Sequence, residues 1–224
     1  TALLAIVAMA FALLLGVFIG ILSALHKDSV FDKLALFFSV LGMSLPSFFA
    51  AIIIAWLFAY VLADFTGLSM FGNLFSVDDY TGEEYLDLKN LILPAFTLGI
   101  RPLAVIVELT KNSMLEVMGQ DYIRTAFAKG LKKKRVIIHH AMQNALNPIV
   151  TASSGWLAGL MAGAVFVEYI FDWKGMGIVI VDGLEKYDFP LVMGAIVFIC
   201  IILIIINILV DILYAALDPR IRLK

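Results

Sequence analysis

Apolar and polar positions along this chain alternate in long blocks rather than with the short period of a half-buried strand. Five apolar blocks stand out: Leu3 to Leu25, Leu34 to Ala63, Leu91 to Thr110, Ile149 to Val167 and Leu191 to Ile212. About 20 apolar residues carry a helix across the hydrocarbon core of a bilayer, and each block has about that length or more. The first, second and fourth have no formal charge; the third carries Arg101 and Glu108, and the fifth carries Asp211. A lone segment in lipid must satisfy its own backbone polar groups, so all five are expected to be helices. The first block is longer than a secretory signal, has no basic start and has no small-residue cleavage site before Lys27, so it reads as a span. The chain starts at Thr1 without a polar lead-in, and one further N-terminal span is expected in the full-length protein.

Composition agrees with the pattern: 62% of the residues are hydrophobic and mean hydropathy is +1.01, far above the range of a soluble domain. The single cysteine, Cys200, lies in the last block, which excludes a disulfide within the chain and a cysteine-based metal site. Net charge is only −2, yet the charges are segregated. Of the 16 Lys and Arg, 12 fall in the segments His26 to Lys33, Lys111 to His140 and Asp218 to Lys224, whereas Asp64 to Asn90 and Glu168 to Phe189 hold 3. Basic loops stay on the cytoplasmic side, so the first set is expected inside and the second outside. The outer segment Asp64 to Asn90 is acidic, with Asp64, Asp78, Asp79, Glu83, Glu84 and Asp87 against Lys89, and Gly67, Gly72 and Gly82 mark turns in a solvated cap.

Glycines inside the blocks invite close helix packing, because small residues four apart let backbones approach. Gly16 with Gly20, and the ridge Gly155, Gly159 and Gly163, fit that reading; the alternative for the ridge is the lining of a narrow path. Pro46, in Ser44-Leu45-Pro46-Ser47, lacks a backbone donor and is expected to kink the second span or break its first turn. Arg101 near mid-span needs a cavity or a partner, since an unpaired charge there costs about 3 kcal/mol or more. It either faces a path or pairs with Glu168 or with Glu108, seven residues on. His139 and His140 are neighbours pointing to different sides of a helix and lack a third ligand, so no metal site is expected. Met43, Met161, Met176 and Met193 read as ordinary packing.

The most informative segment is the basic stretch from residue 120 to 150. A helix is expected from about Gln120 to a stop at Gly130, with a second starting near Lys132 in the run Lys132-Lys133-Lys134-Arg135. Composition alone leaves two uses open: docking on a partner protein, or resting on anionic lipid headgroups. The motif Tyr122-x-Arg124-Thr125-Ala126-x-Ala128-Lys129-Gly130-Leu131, followed by Arg135 and by His140-Ala141-x-x-Asn144-Ala145-Leu146-x-Pro148, resembles the cytoplasmic coupling loop of oligopeptide/dipeptide ABC transporter permeases. The resemblance extends through Ser44-Leu45-Pro46, Leu93-Pro94-Ala95, Ser113-Met114-Leu115-Glu116-Val117, Glu168-x-x-Phe171 with Gly175-x-Gly177, Tyr187-Asp188-x-Pro190 and Asp218-Pro219-Arg220. Lys174 departs from it, since these permeases usually carry proline before the Gly-x-Gly.

The resemblance implies an all-α polytopic membrane helix bundle like type I ABC importer permeases, with five spans here and six in the full-length protein. Residues 1–224 would form one transmembrane domain that includes the coupling loop at 120–150. The implied function is a permease subunit of an ATP-driven importer of di- or oligopeptides in a bacterial or archaeal cytoplasmic membrane. A nickel or other small-solute permease of the same family is the alternative. Implied partners are a second homologous permease subunit, two cytoplasmic ATPase subunits, an extracytoplasmic substrate-binding protein and membrane lipid, with no nucleic acid. Asp121, Tyr122, Arg124, Thr125, Ala126, Ala128, Lys129, Gly130 and Leu131 would couple to the ATPase, Ala126 and Ala128 by allowing close approach and Arg124 and Lys129 by charge. Arg101, Ser44, Pro46 and Glu168 are candidates for the translocation path. The sequence has no Gly-x-x-x-x-Gly-Lys-Ser/Thr phosphate loop, so no cofactor is expected on this chain, and ATP and Mg would sit on the partner subunits. An ion-coupled secondary transporter would need several mid-membrane carboxylates or histidines, and an intramembrane enzyme would need a catalytic set; the sequence offers neither.

Overall fold

A computed structural model describes residues 1–77 and 82–217. The elements in chain order are α1 (Ala2–Leu25), α2 (Val30–Ser44), α3 (Ser47–Trp56) with a π-turn at Leu57–Val61, and α4 (Ala63–Thr66). A short hairpin, β1 (Phe75–Val77) and β2 (Glu84–Leu86), precedes the long α5 (Lys89–Met118). Then come α6 (Asp121–Ala128), α7 (Lys133–Val136) with a π-turn at Ile137–Ala141, and α8 (Met142–Ala145). The chain closes with α9 (Asn147–Gly163), α10 (Val165–Phe171), α11 (Met176–Glu185) and α12 (Phe189–Leu217). The expected Asp78, Asp79 and Asp218-Pro219-Arg220 lie outside the described residues.

Three helices, α1, α5 and α12, are long and apolar enough to cross a membrane by themselves. At the other two expected spans the helix is bent into a pair, Val30–Ser44 with Ser47–Val61 and Asn147–Met161 with Val165–Phe171, so the chain has five spans if each pair counts as one. Pro46 accounts for the first break. It takes φ −60° and ψ 140° as the cap before α3, a conformation that ends the preceding helix, and the expected kink is a full interruption. The all-α expectation holds apart from the antiparallel hairpin in the acidic outer segment, where Phe75 pairs with Leu86 and Ser76 with Tyr85.

The contacts divide into two compact units. One comprises residues 9–44 and 100–155. Here the Gly16 and Gly20 expectation is met: a Cβ on Gly16 would lie 2.8 Å from Ile106 Cγ2, and one on Gly20 would lie 2.7 Å from the Val107 carbonyl oxygen. The glycines let α1 touch the backbone of α5. Below that crossing, Ala24, Met114, Ile123, Ala126, Val136, Ile137, Ala141 and Ala145 form one buried apolar cluster.

The second unit comprises residues 1–8, 45–99 and the chain from Trp156 onward. In it α3 packs on α10, with the rings of Phe48 and Phe166 6.2 Å apart, and Gly183 of α11 gives way to Val192 of α12. The described part of the acidic segment is held at Asn73 and Ser76. Asn90, mostly buried, donates to the Asn73 carbonyl at 3.0 Å and to Ser76 Oγ at 3.2 Å, and Asn73 Oδ1 accepts from the backbone N–H of Lys174 at 2.7 Å. A proline at 174 has no N–H to give, so lysine there is coupled to this bond. On α12, Ile196, Phe198, Ile201, Ile204, Ile205 and Ile208 are all exposed, a surface that hydrocarbon tolerates and water does not.

Gly155 and Gly159 of the expected ridge meet no neighbour among the described residues. Nothing lies within 4 Å of a Cβ on Gly155 or on Gly159, and the side-chain surroundings of Gly163 are not described. Two outcomes follow from these placements. Gly20→Ala should lower the thermal unfolding midpoint of the detergent-purified chain by the equivalent of about 1–3 kcal/mol, whereas Gly159→Ala should leave it level or raise it. Lys174→Pro should cost about 1 kcal/mol and raise hydrogen exchange around Asn73, while Lys174→Ala, which keeps the N–H, should do neither.

Candidate coupling helix

The segment after α5 turns at Gly119 and Gln120, and α6 begins with Gln120 in extended geometry at φ −74° and ψ 149°. Asp121 opens the first turn, where a negative side chain suits the helix dipole, and its carbonyl accepts Thr125 Oγ1 at 2.9 Å. The Arg124–Asp121 pair at 3.4 Å is fully in solvent and adds little.

The other end is closed by the backbone. Gly130 takes φ +77°, its N–H donates to the Phe127 carbonyl at 2.9 Å, and the Leu131 N–H donates to the Ala126 carbonyl at 3.4 Å. These two bonds form a Schellman closure, and Leu131 packs on the apolar cluster that contains Ala126, as such closures prefer. The stop expected at Gly130 and the restart near Lys132 are both present, with Lys132 as the cap before α7.

The two faces of α6 differ. Ile123 and Ala126 point inward, 1% and 6% exposed, into the cluster with Ala24 and Met114. Tyr122, Arg124, Thr125, Phe127, Ala128, Lys129 and Gly130 point out, with Tyr122 and Phe127 each more than two-fifths exposed. Ala126 therefore lies against the chain's own core and not on the outer face assigned to it from the motif; a larger residue would not fit under the helix. Leu131 is half-buried for the same reason. Phe127, passed over in the motif, is the large apolar group that the outer face presents. The signal for it was the three-residue step from Ile123 to Ala126, which fixes the buried stripe and leaves Phe127 opposite.

The path candidates fall in both compact units, Arg101 and Ser44 in one and Pro46 and Glu168 in the other. Arg101 is exposed and makes no ion pair among the described residues, with Glu108 or any other group. Ser44 is exposed and donates to the Val40 carbonyl at 2.7 Å, and Pro46 is exposed at the helix break. Glu168 is the correction. It is fully buried, its Oε2 accepts the Gly177 N–H at 2.7 Å, and its Oε1 accepts the Thr1 hydroxyl at 2.5 Å. Gly175 and Gly177 lie so close that a Cβ on either would overlap the carboxylate. The Glu-x-x-Phe and Gly-x-Gly motifs are thus two halves of one structural clamp, with Phe171 also buried, and Glu168 faces protein rather than a path.

Known proteins with the same sequence pattern and fold agree with this architecture. The pattern of the family described as binding-protein-dependent transport system inner membrane component matches residues 16–223. The chain is 40% identical over 238 residues to the dipeptide transport system permease protein DppB of Escherichia coli (strain K12), covering 99% of this chain and 70% of that protein. It is 41% identical to the protein of the same name from Haemophilus influenzae, over 99% of this chain and 70% of that one. With the di/tripeptide transport system permease protein DppB of Pseudomonas aeruginosa it shares 38% identity over 98% of this chain and 69% of that one. Among solved structures, an inward-facing form of the MetNI methionine ABC transporter aligns with a TM-score of 0.70 and 15% identity, covering 97% of this chain and 92% of that chain. A set of helices long and apolar enough to cross a membrane, a glycine-closed helix at the motif and this likeness over nearly the whole chain lead to one conclusion: the chain belongs to the binding-protein-dependent transport system inner membrane components, the permease subunits of ABC importers, and has their type I fold.

Proposed function

We propose that the permease carries di- or oligopeptides and that α6 is the element on which a cytoplasmic ATPase subunit acts. The peptide substrate is supported by the names of the similar permeases from three bacteria, which are dipeptide or di/tripeptide systems, and this favours peptide over nickel. The observation that carries the coupling role is the division of α6 into two faces. Its inner face is fixed in the chain's core, its end is locked by the Gly130 closure, and its outer face offers Tyr122 and Phe127 between Arg124 and Lys129. Exposed aromatics flanked by cations are typical anchors of protein interfaces. A helix seated in this way transmits a push as a rigid body.

In this reading ATP and Mg bind to the partner subunits, and two ATPases close against a pair of permeases, this chain and a homologous second one. A substrate-binding protein delivers peptide from the outer side. The energy of nucleotide binding reaches the spans through α6 and its seat.

Full-length permease co-expressed with its ATPase subunits tests the coupling role. Wild type should retain the ATPase on purification. Phe127→Glu should reduce retention by about tenfold or more, with unchanged membrane insertion and thermal midpoint, because it alters only the outer face. Gly130→Pro should also lose the ATPase, through loss of the closure and of the positive φ. Equal retention by Phe127→Glu and wild type would overturn the assignment and leave the lipid surface as the role of this segment.

A further inference from the structure

Asp32 is almost fully buried in the first turn of α2, close to the start of a span, and three partners converge on it. Lys111 Nζ of α5 lies 2.6 Å from Oδ1, the Ser23 hydroxyl of α1 donates to the same oxygen, and the Asp28 N–H donates to Oδ2 at 3.0 Å. The Asp32 N–H in turn donates to Ser29 Oγ at 3.2 Å, which closes the turn between α1 and α2. Nothing in the membrane-spanning role requires this; an apolar contact would fill the space at lower desolvation cost.

The location supplies a reason. Ser23 precedes Ala24, and Lys111 stands one turn before Met114; Ala24 of α1 and Met114 of α5 share one buried cluster with Ile123 and Ala126 of α6. The buried pair therefore ties together the two helices that form the seat of α6 and joins α2 to them as a third. We propose that Asp32, with Lys111 and Ser23, is a latch that makes this seat one body, so that a displacement of α6 is carried into α1, α2 and α5 instead of being absorbed at the seat. Asp32 is a positioning residue: it touches neither nucleotide nor transported solute. Without it α6 still meets the ATPase, but its movement is dissipated between helices that slide on one another. The proposal rests on the coupling role of α6 given above.

The test uses the complete importer, with both permeases, ATPase subunits and binding protein, reconstituted in liposomes, with peptide uptake and ATP hydrolysis measured on the same preparation. Asp32→Asn and Lys111→Met should retain the ATPase and hydrolyse ATP at near wild-type rates, while peptide transported per ATP falls by about tenfold. The exchange Asp32→Lys with Lys111→Asp should recover part of that ratio. Ser23→Ala, which keeps both charges and a folded seat, should lower the ratio by about two- to threefold, and it decides the matter if the charge variants do not assemble. An unchanged ratio in assembled Asp32→Asn or Ser23→Ala importers, or a fall in uptake matched by an equal fall in hydrolysis, overturns the latch. Failure of wild type to hold an ATPase would instead remove the coupling role itself, and the latch with it.

Discussion

Hydrocarbon cannot hydrogen-bond, and the spans of this chain are arranged around that fact. Helix ends close on the protein's own groups: the Gly130 closure at the end of α6, the Ser29 hydroxyl at the start of α2, and the Glu168 carboxylate beneath the Gly175–Gly177 turn. Where helices run on, the side chains turned outward are apolar, as along α12. Polar groups are thus concentrated at a few sites, and each of those sites fixes a helix end or a crossing. Close contact does the rest. Gly16 and Gly20 bring α1 onto α5 without any polar bond, in a solvent that provides little hydrophobic drive between helices.

Much of this was legible in the sequence because the governing signals are local. Block length located the long apolar helices, and Gly130 marked the end of α6 because only glycine readily takes its positive φ. Long-range facts were hidden. That Ala126 faces inward depends on Ala24 and Met114, about a hundred and about a dozen residues back along the chain respectively, and a motif cannot reveal its own orientation. Glu168 is a path candidate in the sequence; its partners are the Gly177 backbone N–H and the Thr1 hydroxyl, brought from 9 and 167 residues away, which no local pattern announces.

The ridge of Gly155 and Gly159 illustrates the same limit from the other side. Small residues four apart signal that close approach is allowed, not that a neighbour from the same chain is there. The hairpin escaped notice because its strands are three residues each, too short for an alternation to show, and its anchoring depends on Lys174, 101 residues on, reaching Asn73 as well as on the nearer Asn90.

The two faces of α6 also bear on how such permeases diverge. Ile123, Ala126, Gly130 and Leu131 answer to the fold, and a change in any of them disturbs the seat. Tyr122, Phe127 and Lys129 are exposed and Arg124 meets only the exposed Asp121 one turn away, so under the proposed coupling role these four can drift together with a partner while the scaffold stays the same. A genome holding several importers of this kind can then keep their motors from being exchanged by altering three exposed side chains on a single eight-residue helix and a fourth at its cap.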